Sequence, residues 1–212
     1  MKTNQLIAAL AADTNTVSRP INRQLWMAIA GGAIVAALIF FFGVGPRPDI
    51  AAALETPRFV YKYVLTLSLF ASAFGLMLHL ARPEAVPTRW LAALAISPVL
   101  LIIAVIAEFF LVPSSAWGMS FMGKNSIVCL VVIPVLSAAP LAAVMWTLRD
   151  GAPAYPVLTG AVAGLVAAGI GATLYATHCQ DDSPCFVATW YGLAIIIVTA
   201  VGAVLGARLL RW

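Results

Sequence analysis

The chain has 212 residues, of which 63% are hydrophobic and 9% charged, and its formal net charge at pH 7 is +4. A typical soluble domain carries about 25% charged residues, so this composition excludes an ordinary soluble globular protein. Basic loops on one side of a membrane account for the small positive charge, which gives no reason to expect a direct nucleic-acid partner.

Six segments are long and apolar enough to cross a lipid bilayer as helices, which takes roughly 20 mostly apolar residues each. In chain order they are residues 25–43, 59–81, 90–112, 126–148, 157–177 and 186–207. A transmembrane barrel would instead show strands of about 10 residues with alternating polarity, and no segment alternates in this way. The sequence therefore predicts an all-α membrane protein, with a six-helix transmembrane domain over residues 25–212 behind a separate segment, residues 1–24.

The segment before the first span reads MKTNQLIAALAADTNTVSRPINRQ. Leu6, Ile7 and Leu10 fall on one helical face, which predicts a short amphipathic helix. About ten residues form only a marginal helix alone, so this face is expected to bind in the groove of a partner protein. The alternative is a helix lying on the lipid surface, but the polar face lacks the Lys and Arg that this role favours.

Lysines and arginines predict the orientation, because cytoplasmic loops carry an excess of both. An even number of spans places both termini on the same side. With that side cytoplasmic, the basic residues divide into Lys2, Arg19, Arg23, Arg82, Arg89, Arg149, Arg208 and Arg211 inside, and Arg47, Arg58, Lys62 and Lys124 outside. The sequence therefore predicts that the N-terminus and the C-terminus are both cytoplasmic.

All three cysteines are predicted to lie at one depth on the outer side. Cys129 is near the outer end of the fourth span, while Cys179 and Cys185 flank the connector HCQDDSPCF between the fifth and sixth spans. Thiolate ligands suit soft ions such as Cu(I), and His178 could add an imidazole ligand. The alternatives are simple apolar packing of buried cysteines and a Cys179–Cys185 disulfide across the turn.

Three further residues near the outer side are weaker candidates for metal or redox sensing. Glu108 lies inside the third span, where inserting a carboxylate into the membrane costs about 2.5–3.5 kcal/mol of free energy. The residue is therefore either functional or close enough to the end of the span to reach interfacial water. Met119 and Met122, three residues apart in a connector, are more typical of interfacial packing than of metal ligands. Asp181 and Asp182 are interpreted as turn-forming residues.

Small residues and prolines predict how the spans pack. The stretches GAVAG (160–164) and GAVLG (202–206) have the small-xxx-small spacing that lets helix backbones approach closely, which predicts a tight hairpin of the fifth and sixth spans. Pro134 and Pro140 are expected to bend the fourth span, because each removes a backbone hydrogen bond.

Several stretches along the chain resemble the NrsF family of bacterial membrane-embedded anti-sigma factors, negative regulators of extracytoplasmic-function (ECF) sigma factors of the sigma F type. The stretches that carry the resemblance are MKTNQLIAALAAD, RPDIAAALETPRFVYK, NSIVCLVVIPVLSAAPLAAVMW, RDGAPAYPVLTGAVAGLVAAGIGATLYATHCQDDSPCFVATWY and the terminal RLLRW. Among them, residues 152–191 are the most specific.

The resemblance implies a multi-pass protein of the bacterial inner membrane whose cytoplasmic N-terminal segment sequesters a sigma factor. It also implies two cysteines needed for the response to heavy metals, which correspond to Cys129 and Cys179. His178 falls in the family's His-Cys dipeptide, whereas Cys185 lies outside the implied pair. Direct metal binding and oxidation of the thiols both remain open. No obligatory cofactor and no enzymatic activity are implied, and a soft ion (Cu, Cd or Zn) would act as inducer.

The alternative function is a small membrane thiol oxidoreductase or a metal transporter. An oxidoreductase would need a reactive cysteine pair for each step of electron flow, and the three cysteines here form no C-x-x-C motif. A transporter would need polar residues in mid-membrane, where the spans hold chiefly isolated Ser and Thr. We therefore favour a transmembrane switch in which a bound ion or a disulfide draws the fourth and fifth spans together.

Overall fold

The computed structural model describes residues 3, 5, 20–82, 88–151 and 153–211. The candidate sigma-binding residues Leu6, Ile7 and Leu10 lie outside this part of the chain. Every regular element within the described residues is helical, as the composition predicts.

Six long helices make up the fold. They are α1 (Ile21–Gly43), α2 (Pro57–Leu80), α3 (Ile96–Leu111), α4 (Ser126–Leu148), α5 (Pro156–Ala176) and α6 (Gly192–Leu209). Short helical turns lead into α3 (Thr88–Leu91, Ala92–Ala95) and into α6 (Pro184–Phe186, Val187–Tyr191), and others lie in the connectors (Ile50–Leu54, Ser114–Ala116, Trp117–Met122, Arg149–Gly151).

The predicted spans are confirmed, because within the described residues six helical stretches are long and apolar enough to cross a membrane. The main difference is at Ile21, where α1 begins before the predicted start of the first span. Pro57, Pro156 and Pro184 each stand at the start of a helix. Proline suits this position because its fixed φ is already helical and its missing N–H would have no helical partner there.

The outside of the bundle is apolar. Large side chains such as Phe42, Phe110, Ile127 and Trp146 are between 73% and 88% exposed. In a soluble protein, a continuous exposed apolar surface of this kind marks an interaction site. In a membrane protein, the same surface faces the hydrocarbon core of the bilayer. With six apolar helices, it is the arrangement of a multi-pass membrane protein.

The hairpin of α5 and α6 packs backbone against backbone. A Cβ atom added to Gly160 would lie 2.3 Å from the carbonyl oxygen of Gly202, and one added to Gly206 would lie 2.3 Å from that of Pro156. A Cβ on Gly164 would lie 2.7 Å from the oxygen of Val198. These contacts confirm the tight hairpin that the small-xxx-small spacing predicts.

Helix α4 lies between α1 and α5, and it runs through both of its prolines without interruption. On one side, a Cβ on Gly32 of α1 would lie 2.6 Å from the Cα of Pro140. On the other side, a Cβ on Gly171 of α5 would lie 2.8 Å from the carbonyl oxygen of Ile133. Close backbone contacts therefore join α4 to both neighbours.

Consecutive helices run in opposite directions, so the bundle has two ends. At one end, Gly151 lies beside Ala81 and Ile21. At the other, the backbone N–H of Arg47 donates to the carbonyl oxygen of Thr177 at 3.0 Å. The connectors predicted to face outward meet at this second end, which we call the thiol end because it holds the three cysteines.

A candidate thiol site at one end of the bundle

The fold brings Cys129 and Cys179 together although fifty residues separate them in sequence. Cys129 lies in the first turn of α4 and Cys179 follows the last turn of α5. Both side chains are 0% exposed and belong to the same buried cluster. All three cysteines are free thiols, so the structure contains no Cys179–Cys185 disulfide.

Aromatic side chains surround the two thiols. Tyr175, Tyr191 and Phe186 are each at most 1% exposed and belong to the same cluster. The ring centroids of the two tyrosines are 5.8 Å apart, and those of Phe186 and Tyr191 are 6.4 Å apart. We call this group of two cysteines and three aromatic residues the thiol chamber.

The environment of Cys179 favours the neutral thiol. Burial raises the pKa of the Cys179 thiol above its ordinary value, and the nearby Lys62 ammonium opposes this shift. The thiol makes a long contact of 3.8 Å with the carbonyl oxygen of Asp181. Because a thiolate rather than a thiol binds metal or attacks a disulfide, Cys179 must lose its proton before it can do either.

The loop that carries Cys179 is fastened by a buried group of charges. Lys62 of α2 is 1% exposed, forms an ion pair with Asp182 and donates a hydrogen bond to the carbonyl oxygen of Cys179 at 2.9 Å. Arg47, 8% exposed, donates to Asp182 at 2.8 Å and to both oxygens of Asp49 at 2.7 and 2.8 Å. We call Arg47, Asp49, Lys62 and Asp182 the ion cluster.

The ion cluster balances two cations against two carboxylates, which is how buried charge is tolerated. Hydrogen bonds from Arg47 hold the pKa of Asp49 below its ordinary value, and those same contacts raise the pKa of Arg47. Both cations also lie 5.5 Å from the ring centroid of the buried Phe59. The cluster thus ties the Cys179 loop to α2 and to the segment that follows α1.

Asp181 fastens the same loop to α4. Its carboxylate accepts hydrogen bonds from the backbone N–H groups of Lys124 and Asn125, at 3.0 and 2.8 Å, and from the Asn125 side chain at 3.0 Å. These residues directly precede α4, and a negative charge is favourable at a helix N-terminus. Because Cys129 lies one turn further on, Asp181 holds the two cysteine-bearing segments in register.

Glu108 and Cys185 belong to a separate polar group on the side of α3. Glu108 is 3% exposed, accepts a hydrogen bond from Ser183 at 3.0 Å and lies 3.6 Å from the guanidinium of Arg58. Cys185 is buried and interacts electrostatically with Glu108 and Arg58. The Glu108 carboxylate is therefore paired within the protein.

Of the remaining candidates from the sequence, His178 borders the thiol chamber, because its ring centroid is 5.8 Å from that of Tyr175, and the two methionines lie outside it. Nδ1 of His178 is 2.9 Å from the carbonyl oxygen of Gly45. A carbonyl only accepts, so Nδ1 carries the proton of the neutral ring and Nε2 is left as the acceptor. Met119 and Met122 lie on the short helix Trp117–Met122 and are 79% and 61% exposed.

The geometry limits the ligand chemistry. Throughout the described residues, no group of three or more His, Cys, Asp or Glu side chains is arranged to hold a metal ion. The thiol chamber instead brings two sulfur atoms into one buried cluster, and sulfur is the donor type that soft ions prefer.

Sequence reasoning missed the residues that position the cysteines. Asp181 and Asp182 have specific partners and are more than turn-formers. One signal was available for Lys62, because a lysine inside the predicted span 59–81 is a functional candidate by the same rule that singled out Glu108. Tyr175 and Tyr191 gave no such signal, since tyrosine is common near the ends of membrane spans.

Comparisons with known proteins match the whole chain. The family model described as "Negative regulator of sigma F" (NrsF) matches residues 10–212. The "Probable anti-sigma-F factor NrsF" of Azospira oryzae is 37% identical over 215 residues, and the "Anti-sigma-F factor NrsF" of Caulobacter vibrioides is 32% identical over 215 residues, each alignment covering 100% of both chains. No solved structure matches the chain. The family consists of regulators rather than enzymes, so the oxidoreductase alternative fails, and the chain belongs to the NrsF family of negative regulators of sigma F.

Proposed function

We propose that this protein is an anti-sigma factor of the bacterial inner membrane with both termini in the cytoplasm. Its N-terminal segment, centred on Leu6, Ile7 and Leu10, binds an ECF sigma factor of the sigma F type. Its thiol chamber faces the periplasm, and the sigma factor is released when Cys129 and Cys179 bind a soft metal ion or become oxidised. The names of the two relatives support the sigma F partner.

The distribution of charge supports this orientation. At the thiol end, Arg47 and Lys62 are paired with buried or half-buried carboxylates, and Arg58 is paired with Glu108. The opposite end carries most of the remaining basic residues, Arg23, Arg82, Arg149, Arg208 and Arg211 among them. An excess of lysine and arginine marks the cytoplasmic side of a membrane protein.

The observation that carries the proposal is that two thiols, one on α4 and one in the loop that follows α5, share one buried chamber. An ion bound between them, or a disulfide, would draw α4 toward the end of α5. Because α4 packs closely against α1 at Gly32 and Pro140, a shift of α4 also displaces α1. Helix α1 begins at Ile21 and so includes the last residues of the N-terminal segment, and its displacement therefore changes how that segment is presented.

The energies involved are sufficient for a switch. Moving a two-state equilibrium from 1:99 to 99:1 takes about 5.5 kcal/mol of differential binding. Structural zinc sites in small peptides supply about 10–16 kcal/mol of apparent binding free energy at neutral pH. A two-sulfur site needs to deliver only part of this to release the partner.

The first experiment tests the thiols in cells that carry a reporter for the sigma factor. We expect Cys129→Ser and Cys179→Ser to keep the reporter repressed when Cu or Cd salts are added. Cys185→Ser is the matched control, because Cys185 lies beside Glu108 and outside the chamber, and it should respond normally. Constitutive release in both chamber variants would show that the thiols are structural and would contradict the proposal.

The second experiment tests the partner and its binding segment. The full-length protein in detergent should retain the sigma factor in a pull-down and release it on addition of Cu, Cd or Zn. A thiol-blocking reagent should prevent the release. Deletion of residues 2–16, or replacement of Leu6, Ile7 and Leu10 by Ser, should abolish the pull-down. Undiminished capture by these variants would contradict the N-terminal segment as the binding site.

A further inference from the structure

Two hydroxyl groups in the thiol chamber make no hydrogen bond of ordinary geometry with any described residue. They are the hydroxyls of Tyr175 and Tyr191, which are buried and whose nearby polar side chain, that of Cys179, does not satisfy them at ordinary hydrogen-bond geometry. Burying an unsatisfied hydroxyl is unfavourable, and a phenylalanine would fill either position without this penalty. Two such groups in one chamber therefore call for a reason other than packing.

Both hydroxyls lie beside the sulfur atoms. Tyr175 belongs to the last turn of α5 and Tyr191 to the turn that leads into α6, so they approach from different helices. Each lies close to the Cys179 side chain without reaching hydrogen-bond geometry, and Cys129 belongs to the same buried cluster. The unsatisfied donors are thus already next to the two candidate acceptors.

The backbone at Tyr191 supports a functional reading of its position. Tyr191 is the last residue of a π-helical turn, Val187–Tyr191, inserted where the chain enters α6. Such turns are rare and occur frequently at functional sites. The side chain that this irregular turn carries is 1% exposed and lies in the thiol chamber.

The protonation state of sulfur decides whether these hydroxyls can be satisfied. A neutral thiol is a weak acceptor, whereas a thiolate accepts a charge-assisted hydrogen bond. Binding of a divalent soft ion converts both thiols to thiolates, and the two protons leave to the surrounding water. Only in that state do the tyrosine hydroxyls face strong acceptors.

We propose that Tyr175 and Tyr191 are positioning residues that donate hydrogen bonds to the thiolate sulfurs of Cys129 and Cys179 in the ion-bound state. This inference rests on the proposed function, in which the same two thiols bind the inducing ion. It makes the chamber a four-residue site for a soft divalent cation, with two sulfur ligands and two hydroxyl donors. The free-energy cost of the unsatisfied hydroxyls is present in the metal-free protein and is removed when the ion binds, so it favours binding.

The test uses the full-length protein in detergent titrated with Cd(II). Binding is followed by the sulfur-to-cadmium charge-transfer absorbance, and stability is followed by thermal unfolding without metal. Tyr175→Phe and Tyr191→Phe should each weaken Cd(II) binding about tenfold, as expected for the loss of one charge-assisted hydrogen bond, and should shift the absorbance band. Both should leave the metal-free protein as stable as the wild type or more stable.

Tyr61→Phe is the matched control. The Tyr61 hydroxyl donates to the carbonyl oxygen of Leu100 at 2.6 Å, away from the chamber, so this variant should lose stability and keep its Cd(II) affinity. Lower stability with normal Cd(II) affinity in the chamber variants would give the tyrosines an ordinary structural role and overturn the inference.

The Cys129→Ser and Cys179→Ser proteins distinguish a failure of the inference about the tyrosines from a failure of the proposed function. If they lose Cd(II) binding while the tyrosine variants bind with unchanged affinity and absorbance, the inference about the tyrosines falls and the proposed function stands. If the cysteine variants bind Cd(II) as the wild type does, both fall together.

Discussion

The hairpin of α5 and α6 is held in two different ways along its length. Over most of the hairpin, glycines bring the two backbones into direct contact, as at Gly160 and Gly202. At the thiol end, the loop that joins the helices is held by charges and hydrogen bonds, chiefly through Asp181 and Asp182. The first kind of contact depends on shape alone, and the second depends on charge.

This difference indicates which region can respond to a chemical signal. A glycine contact between backbones has no group that changes with an ion or an oxidant. The contacts of the loop include such a group. The ammonium of Lys62 donates a hydrogen bond to the carbonyl oxygen of Cys179 and lies near the Cys179 thiol. A change of charge on sulfur therefore acts on the ion cluster directly, while the glycine-packed hairpin keeps the helices aligned.

The largest effect should follow from breaking the ion cluster. Asp182→Asn keeps the shape of the side chain but leaves the buried Lys62 without a carboxylate partner. Removing one member of a buried ion pair typically destabilises by about 3–5 kcal/mol. We expect a loss in this range in the free energy of unfolding, measured in detergent micelles by titration with SDS.

Asp49→Asn is the control for that measurement. The Asp49 side chain is 51% exposed and, among the described residues, forms an ion pair with Arg47 alone, which keeps Asp182, so the loss should be at most about 1 kcal/mol. A double variant that also carries Lys62→Met should recover part of the stability lost by Asp182→Asn, because no buried charge is then unpaired. Equal losses for the two aspartate variants would refute the distinction between a buried and an exposed pair.

The next largest effect should come from the glycine contacts. Gly202→Ala places a Cβ 2.3 Å from the carbonyl oxygen of Gly160, so the helices must separate. Overpacking of this kind costs about 1–3 kcal/mol. The variant should be less stable in the same SDS titration, and its Cd(II) affinity should change little because the thiol chamber lies at the end of the hairpin.

Gly31→Ala is the matched control, since a Cβ at Gly31 of α1 would meet nothing within 4 Å. Alanine favours the helix over glycine by about 0.5–1 kcal/mol, so this variant should be as stable as the wild type or slightly more so. If both variants behaved alike, close packing would not explain the α5–α6 hairpin.

The hairpin and the spans were predictable from sequence because their signals are local. Runs of about 20 apolar residues fix the spans, and glycines four residues apart fix the close contact. The co-location of Cys129 and Cys179 was predictable too, since an antiparallel bundle brings alternate connectors to one end. Each of these inferences needs only the order of the elements along the chain.

The partners of the charged residues could not be predicted in the same way. Lys62 and Asp182 are 120 residues apart, and Arg47 and Asp182 are 135 apart. Which of several outer charges meet depends on how the helices are rotated about their axes, and the helices carry no strong one-sided pattern because lipid and core are both apolar. The unsatisfied hydroxyls of Tyr175 and Tyr191 depend on the same rotations.

A smaller effect is expected where the connector before α4 crosses the Cys179 loop. Gly123 has a φ of +54°, and an added Cβ would lie 2.4 Å from the ring of Phe186 and 2.8 Å from Asp181. Gly123→Ala should cost about 1–2 kcal/mol, because φ of +54° with ψ of −166° is a backbone conformation that essentially only glycine adopts, and the Phe186 ring must shift to admit the methyl group. Because Asp181 and Phe186 both border the chamber, Cd(II) affinity should also fall.

Gly118→Ala, in the helix of the same connector, is the control for Gly123→Ala because its Cβ would meet nothing within 4 Å. Both its stability and its Cd(II) affinity should match the wild type. A Gly123→Ala protein that kept full Cd(II) affinity would show that the connector does not help to position the chamber.

The smallest effect should come from the polar group beside α3. Glu108→Gln keeps an oxygen that can accept the Ser183 hydrogen bond and removes only the charge that faces Arg58. The Arg58 side chain is 52% exposed and its guanidinium is 3.6 Å away, so the pair should contribute less than about 1 kcal/mol.

Ser183→Ala removes the hydrogen bond itself and should cost about 0.5–1.5 kcal/mol. Both variants should bind Cd(II) and release the sigma factor normally, because Glu108 and Cys185 do not belong to the buried cluster that forms the thiol chamber. Impaired release in Glu108→Gln would instead extend the responsive region from the chamber to the side of α3.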